Sequence, residues 1–372
     1  MTTPIPQCNP LAAYEANAEQ IDAAIREVLS SGRYILGPHV ASFEQAFSRW
    51  IGASHGLGLA NGTDALEISL RALGIGEGCA VITTSMSAVA TAVAIRKTGA
   101  SPLFADIDEE HGLIDPTKVD ALFDAETTPI RAIVPVHLYG RCVDMGTIMD
   151  IAIKRGVPVV EDCAQAHGAR WAGRMAGTFG KIGTFSFYPT KNLGAIGDGG
   201  ALVTNDQTLL ERARLLREYG WKQRYVSETE GGNSRLDELQ AAILEVKLAR
   251  LEADNKARRG IAALYRLNIS HPDVQVFRGD DEGHVYHQFV VRSASRDALQ
   301  AYLATKGIGS LVHYPAAIHQ QPAYSDKAYS PVSLPNTERW SETVLSLPMY
   351  PQMREEDAMR VIEAINTWVP SR

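Results

Sequence analysis

Apolar positions along this chain follow two alternating rhythms. Short β-branched runs, HGLGLA, AVITTS, SPLFADID, IRAIVPVHLY, VPVVEDC, GTFSFY and ALVTND, are interleaved with helical patterns such as ALEISLRALG and AVATAVAIRKTG. That alternation predicts an α/β fold with a mostly parallel sheet covered by helices on both faces. After Asn233 a helical run, SRLDELQAAILEVKLARLEADNKARRGIAALYRL, exceeds an ordinary globular helix and becomes more charged. It reads as the connector between a large domain, residues 1–252, and a smaller α+β C-terminal domain, residues 253–372. Within the smaller domain the pattern predicts a strand at VYHQFVVRS, a helix from about Ser295, a strand near GSLVHY and a closing helix from about Glu355. Ser234 and Asp237 have the S-x-x-D spacing of a capping box at the start of the connector.

Composition narrows the classes. A chain of 372 residues is too long for one ordinary core. Its 36 basic and 43 acidic residues give a net charge of −7 with no block of one sign, which argues against nucleic acid as the main partner. No apolar run is long enough to span a bilayer, and the first residues lack a basic end followed by an apolar stretch, so the expectation is a soluble, cytoplasmic protein. Cys8, Cys79, Cys142 and Cys163 are widely spaced, with no C-x-x-C and no nearby histidine pair. Neither a metal site nor a disulfide framework is expected.

The candidate chemistry lies between Val159 and Gly200. Asp162 ends one apolar run and Lys191 follows the next, so each stands where a parallel strand meets the loop beyond its carboxyl end, the place where open α/β sheets build their sites. A carboxylate for a pyridinium nitrogen and a lysine for an aldehyde are the two groups that pyridoxal phosphate asks of a protein. Gln165 is placed to donate to the ring hydroxyl. Asn61-Gly62-Thr63-Asp64, between a strand and a helix, offers close approach and free backbone N–H groups to the phosphate, with the Ser186 hydroxyl nearby. The GDGG run from Gly197 to Gly200 reads as a tight turn into ALVTND.

NGTDAL, DCAQAHGA, FSFYPTKNLGAIGDGG and GGNSRLDELQAAIL, in that order, resemble the nucleotide-sugar aminotransferases of the DegT/DnrJ/StrS type, which are fold-type I pyridoxal phosphate enzymes. The likeness runs from GRYILGP to LSLPMYP. It implies Lys191 as the lysine that bonds the cofactor, Asp162 as partner of the ring nitrogen, Gln165 near the ring hydroxyl, and Gly62, Thr63 and Ser186 as phosphate contacts. It also implies that Asn233 reaches the phosphate held by a neighbouring subunit, so that a homodimer shares its active sites. One departure stands out: the family's T-[FY]-[IV]-A-T segment stacks an aromatic ring on the cofactor, and here Ser87-Ala88-Val89-Ala90-Thr91 supplies only a methyl group.

Related dehydratases carry histidine in place of the lysine, which Lys191 argues against, and a non-catalytic regulatory protein would have little reason to keep Asp162, Gln165 and Lys191 together. The expected reaction is a two-stage amino transfer from L-glutamate to a nucleotide-linked keto sugar. YGWKQRYVS and VHYPAAIHQQPAY resemble the subgroup that aminates C3 of dTDP-3-keto-6-deoxyhexoses, with amination at C4 or of an aminocyclitol ketone as the alternative. On that reading His313, Tyr314 and His319 are candidates to meet the sugar. Arg33, Lys222 and Arg224 are candidates for the nucleotide diphosphate, and Tyr34 and Tyr225 for other substrate contacts.

Overall fold

The computed structural model describes residues 3–277, 283–324 and 333–370. All seven predicted runs form strands: His55–Leu59, Ala80–Thr84, Ser101–Ala105, Ile130–Ile133, Val160–Asp162, Ile182–Ser186 and Gly200–Thr204. Two ladders meet where Ile133 bridges Val159 and Val136 bridges Asp162. In the resulting sheet the strands that begin at His55, Gly200, Ile182, Val160, Ile130, Ala80 and Ser101 lie side by side in that order. Gly200–Thr204 runs antiparallel to both its neighbours, and the remaining pairs are parallel. The reversal has a simple cause: the chain between Ser186 and Gly200 contains no helix to carry a parallel crossover.

Helices cover both faces. Gly62–Ala72 buries Leu66, Ile68 and Leu70 on one side. On the other, Pro38–Ile51 sets Phe43 edge-on to Phe187 at 5.3 Å and Phe47 edge-on to Phe185 at 5.0 Å between ring centroids, geometries that add about 0.5–1.5 kcal/mol per pair beyond area burial.

The connector is two helices, Glu238–Leu248 and Leu251–Asn268, because Ala249 and Arg250 leave the helical ladder between them. The capping box does not form. Asp237 is the N-cap but makes no side-chain cap bond, and the Ser234 hydroxyl accepts from Ala60 N instead, at 3.1 Å. Glu238 turns outward to another helix: its buried carboxylate accepts from Gly37 N, His39 N and Val40 N at 2.7, 3.0 and 2.8 Å, capping Pro38–Ile51. Contacts between residues so far apart in sequence outbid the local cap.

Leu251 belongs to the large core, whereas Ile261, Ala262 and Tyr265 of the same helix enter a second one with Phe289, Leu303, Ile365 and Trp368. Ile5 joins that second core, its N–H donating to Gly307 O at 2.8 Å. The strand predicted at VYHQFVVRS is limited to Phe289–Arg292, paired with Gln275–Val276 and Val344–Leu347. Near GSLVHY only Leu311 pairs, by an isolated bridge to Ser346. Helices follow at Arg296–Thr305 and Glu355–Asn366. Among the described residues no helix is long and apolar enough to cross a membrane, and the four cysteines are unpaired.

Replacing Glu238 with alanine would orphan three backbone N–H groups at once. The expected cost is on the order of 3 kcal/mol, read as a lower urea midpoint; an unchanged midpoint would refute the capping role.

Candidate active site

Val160–Asp162 is a buried strand, and successive side chains on a strand point to opposite faces. Glu161 therefore points away from Asp162. It accepts from Gly177 N, Phe179 N and Gly180 N, each at 2.7 Å, and meets His137 Nε2 at 3.1 Å. Cys163 brings a third potential ligand atom within 4.8 Å of that pair, but the carboxylate already serves as the anchor of the 177–180 turn.

On the opposite side, Asp162 Oδ2 accepts from Thr91 Oγ1 at 2.8 Å and Oδ1 accepts from Ala164 N at 3.1 Å. Burial raises the Asp162 pKa, while the Ala164 N–H, the Thr91 hydroxyl and the Lys191 charge oppose that rise. Lys191 sits in the turn after Ile182–Ser186, its backbone N–H donating to Tyr188 O at 2.8 Å. Burial lowers its pKa to about 8, against the pull of Asp162. Three imidazoles feel the lysine charge and are kept neutral, in each case chiefly by burial: His167, lowered to about 3, His313, lowered to about 4, and His287, well below its usual value.

Gln165 is held from two sides. Its Oε1 accepts from Tyr139 N at 2.7 Å and its Nε2 donates to the Tyr314 hydroxyl at 3.0 Å, which leaves one amide proton for a ligand. Tyr139 also fixes the neighbouring strand of chain, its hydroxyl donating to His313 O at 2.6 Å.

The helix Gly62–Ala72 begins beside the end of the lysine strand, its N-cap Asn61 accepting from Asp64 N at 2.8 Å. A Cβ on Gly62 would lie 2.7 Å from Ser186 Cβ, so only glycine lets this helix start against that strand. The arrangement forms a cradle of amino-terminal N–H groups from Gly62 and Thr63 with the Ser186 hydroxyl alongside, which suits an anion.

The structure thus brings Asp162, Gln165, Lys191, Gly62, Thr63, Ser186, His313 and Tyr314 into one region. His319 lies apart from that group. It is buried, its Nδ1 lies 2.7 Å from Ser85 Oγ, its Nε2 lies 3.3 Å from Glu338 Oε1, and its backbone N–H donates to Ser85 Oγ at 2.9 Å. Ser85 thus ties the 318–320 turn to the end of Ala80–Thr84, and both ring nitrogens have partners within the fold. The remaining candidates are exposed. Arg33 and Tyr34 occupy the loop before Pro38–Ile51. Lys222, Arg224 and Tyr225 lie on the Trp221–Gln223/Val226–Ser227 hairpin, with the Arg224 guanidinium 4.9 Å from the Tyr225 ring centroid. Asn233 is exposed beside its bridge to Glu218.

Thr91, Tyr139 and Asn192 escaped the sequence reading. Thr91 lies in the segment inspected for a ring at position 88, and a hydroxyl one helical turn on carried the real signal. The other two act through partners remote in sequence. At Ala88 itself the chain is half-buried and offers no ring; the ring that the structure joins to Gln165 is Tyr314.

The DegT/DnrJ/EryC1/StrS aminotransferase family matches residues 15–366. Over 369 residues the chain is 44% identical to the dTDP-3-amino-3,4,6-trideoxy-alpha-D-glucose transaminase of Streptomyces venezuelae, covering 99% of this chain and 97% of that protein. It is 46% identical over 351 residues to the dTDP-3-amino-3,6-dideoxy-alpha-D-galactopyranose transaminase of Aneurinibacillus thermoaerophilus, covering 94% and 95%. Among solved structures, S. venezuelae DesV has a TM-score of 0.95 at 44% identity over 99% of each chain. With matches that span nearly its whole length, the chain belongs to the DegT/DnrJ/EryC1/StrS aminotransferase family.

Proposed function

We propose that this protein is a pyridoxal phosphate-dependent aminotransferase that moves the amino group of L-glutamate to C3 of a dTDP-linked 3-keto-6-deoxyhexose. The observation that carries the reading is the meeting of Lys191 and Asp162 beside the Gly62 helix start, where a desolvated amine, a buried carboxylate and an anion cradle match the three ends of that cofactor. The full-length likeness to two transaminases of dTDP-3-amino sugars supports the substrate class.

The residues present fit the cofactor. Gly62, Thr63 and Ser186 would hold its phosphate, Gln165 its ring hydroxyl and Asp162 its ring nitrogen, while Lys191 would hold the aldehyde carbon. Bound there, pyridoxal phosphate supplies the electron sink for the pair left behind when a carbon-bound proton departs.

The protein's part is then positional and protic. Asp162, fixed by Thr91 and Ala164, keeps a proton on the ring nitrogen through its negative charge. The Lys191 amine is kept readily neutral by burial, so it can take a proton from the donor's α-carbon and return one to the acceptor sugar's C3. Gln165 cannot turn, because Tyr139 N–H accepts no bond and so holds the amide oxygen toward itself. Exchange of glutamate for keto sugar at one site implies ping-pong kinetics.

The exposed groups find a use in a homodimer, in which Asn233 meets the phosphate of the neighbouring site and Arg33, Tyr34, Lys222, Arg224 and Tyr225 line the nucleotide's approach. Two-fold symmetry is the commonest arrangement for such a pair.

Lys191→Ala is expected to lower the rate of product formation from L-glutamate and a dTDP-3-keto-6-deoxyhexose by at least ~10²-fold, followed by mass spectrometry of the amino sugar. Normal turnover in that variant would sink the assignment, and turnover with only a 4-keto sugar would move the amine to C4.

In cofactor-free protein, acylation of the Lys191 amine should rise through a midpoint of about 8. Asp162→Asn should lower that midpoint, since the carboxylate raises it. Because the folded value lies below the free value of 10.5, folding releases this proton between the two. The group's contribution to stability therefore grows as pH rises through that window.

A further inference from the structure

Behind Lys191 runs a line of buried amides and one imidazole that the reaction itself does not require. Gln7, His287, Gln288 and Asn255 are all buried, and they lead from the N-terminal segment, through the C-terminal unit, to Asn192, the residue after the lysine. Gln7 Nε2 donates to Gln288 Oε1 at 2.6 Å and to Leu347 O at 3.4 Å. Gln288 Nε2 lies 3.4 Å from His287 Nε2, the longest link between side chains in the line. His287 Nδ1 lies 3.2 Å from Asn192 Oδ1. Asn192 Nδ2 donates to Asn255 Oδ1 at 2.9 Å and to Val285 O at 3.0 Å, and Asn255 Nδ2 donates to His167 O at 2.9 Å.

The sense of this line is fixed by its ends. A backbone carbonyl can only accept, so Leu347 O, Val285 O and His167 O decide which atom of Gln7, Asn192 and Asn255 is nitrogen. Asn192 must then present its oxygen to His287, which requires a proton on Nδ1. Gln7 must present its nitrogen to Gln288, which turns the Gln288 nitrogen toward His287 and requires a lone pair on Nε2. Every donor therefore points the same way. A second proton on the ring would set N–H against N–H, so the chain admits only the neutral ring.

We infer that His287 and Asn192 are positioning residues for Lys191, holding its loop to the C-terminal unit through a one-way hydrogen-bond chain that selects the neutral Nδ1–H form of His287. The inference rests on the role proposed for Lys191 above. The charged and titratable groups that face His287, namely Lys191, Arg258, His313 and His167, reinforce burial in keeping the ring unprotonated. A loop fixed in this way leaves the lysine's motion to its side chain, so that the amine can pass between two carbons without the backbone drifting. Small losses of placement are costly in such a site, on the order of 10²-fold for about 1 Å.

The test compares H287L with H287N in the holoenzyme, since asparagine keeps a donor where Nδ1 stands. H287L is expected to lower kcat by ~10–10²-fold with little change in the sugar KM, and to shift the pH midpoint of the bound cofactor's absorbance by at least ~0.5 unit through the altered lysine setting. H287N should recover most of both changes. In the wild type, nitrogen-15 NMR of the ring should report the Nδ1–H tautomer at neutral pH, whether or not any variant folds. A wild-type absorbance midpoint in H287L, equal behaviour of the two variants, or an Nε2–H or doubly protonated ring would overturn the inference. Failure of the wild type to aminate any keto sugar would instead overturn the proposed function, and the tautomer and the absorbance midpoint would still decide the chain.

Discussion

Lys191 is a half-buried residue whose amine is desolvated beside the Asp162 carboxylate, and that imbalance between desolvation and charge organises what surrounds it. Burial alone would strip its proton, and Asp162 alone would keep it; together they leave the amine near the middle of its range at about 8. The neighbouring imidazoles stay neutral under the same pressures and so add no rival charge. The carboxylate in turn is usable because the Thr91 hydroxyl and the Ala164 N–H donate to it. An anion without those donors would be expected to protonate in so dry a place.

Placement of these groups follows from the sheet. Glu161 and Asp162 are adjacent acids, and the pleat sends them to opposite faces, one to anchor the 177–180 turn and one to the site. The antiparallel strand Gly200–Thr204 lies between the strand that leads to Gly62 and the strand that leads to Lys191. Its first residue has no side chain for a reason: a Cβ on Gly200 would come within 2.3 Å of the Asn61 backbone. The sheet order therefore places the anion cradle and the lysine side by side.

Much of this was legible beforehand. All seven strands of the large sheet appear as short, largely apolar runs, because burial on both faces demands apolar residues along most of each strand. Asp162 and Lys191 stood out because each ends an apolar run where open α/β sheets build their sites. What misled was local reasoning about residues whose partners are distant. Ser234 has the spacing of a cap yet bonds Ala60, and Glu238 caps a helix that begins two hundred positions earlier. Nothing near His319 in sequence announces its partners Ser85 and Glu338.

Periodicity and the chemistry of strand ends were enough to assign the α/β class and the cofactor type and to nominate Asp162 and Lys191 as the groups that hold it, since each rests on the pattern of residues around one strand end. Only the folded chain could orient Gln165 between Tyr139 and Tyr314, join His319 to Ser85 and Glu338, and thread Gln7, Gln288, His287 and Asn192 into one line. Those are hydrogen bonds between segments brought together by packing. Their donors and acceptors have no meaning until both partners are in place.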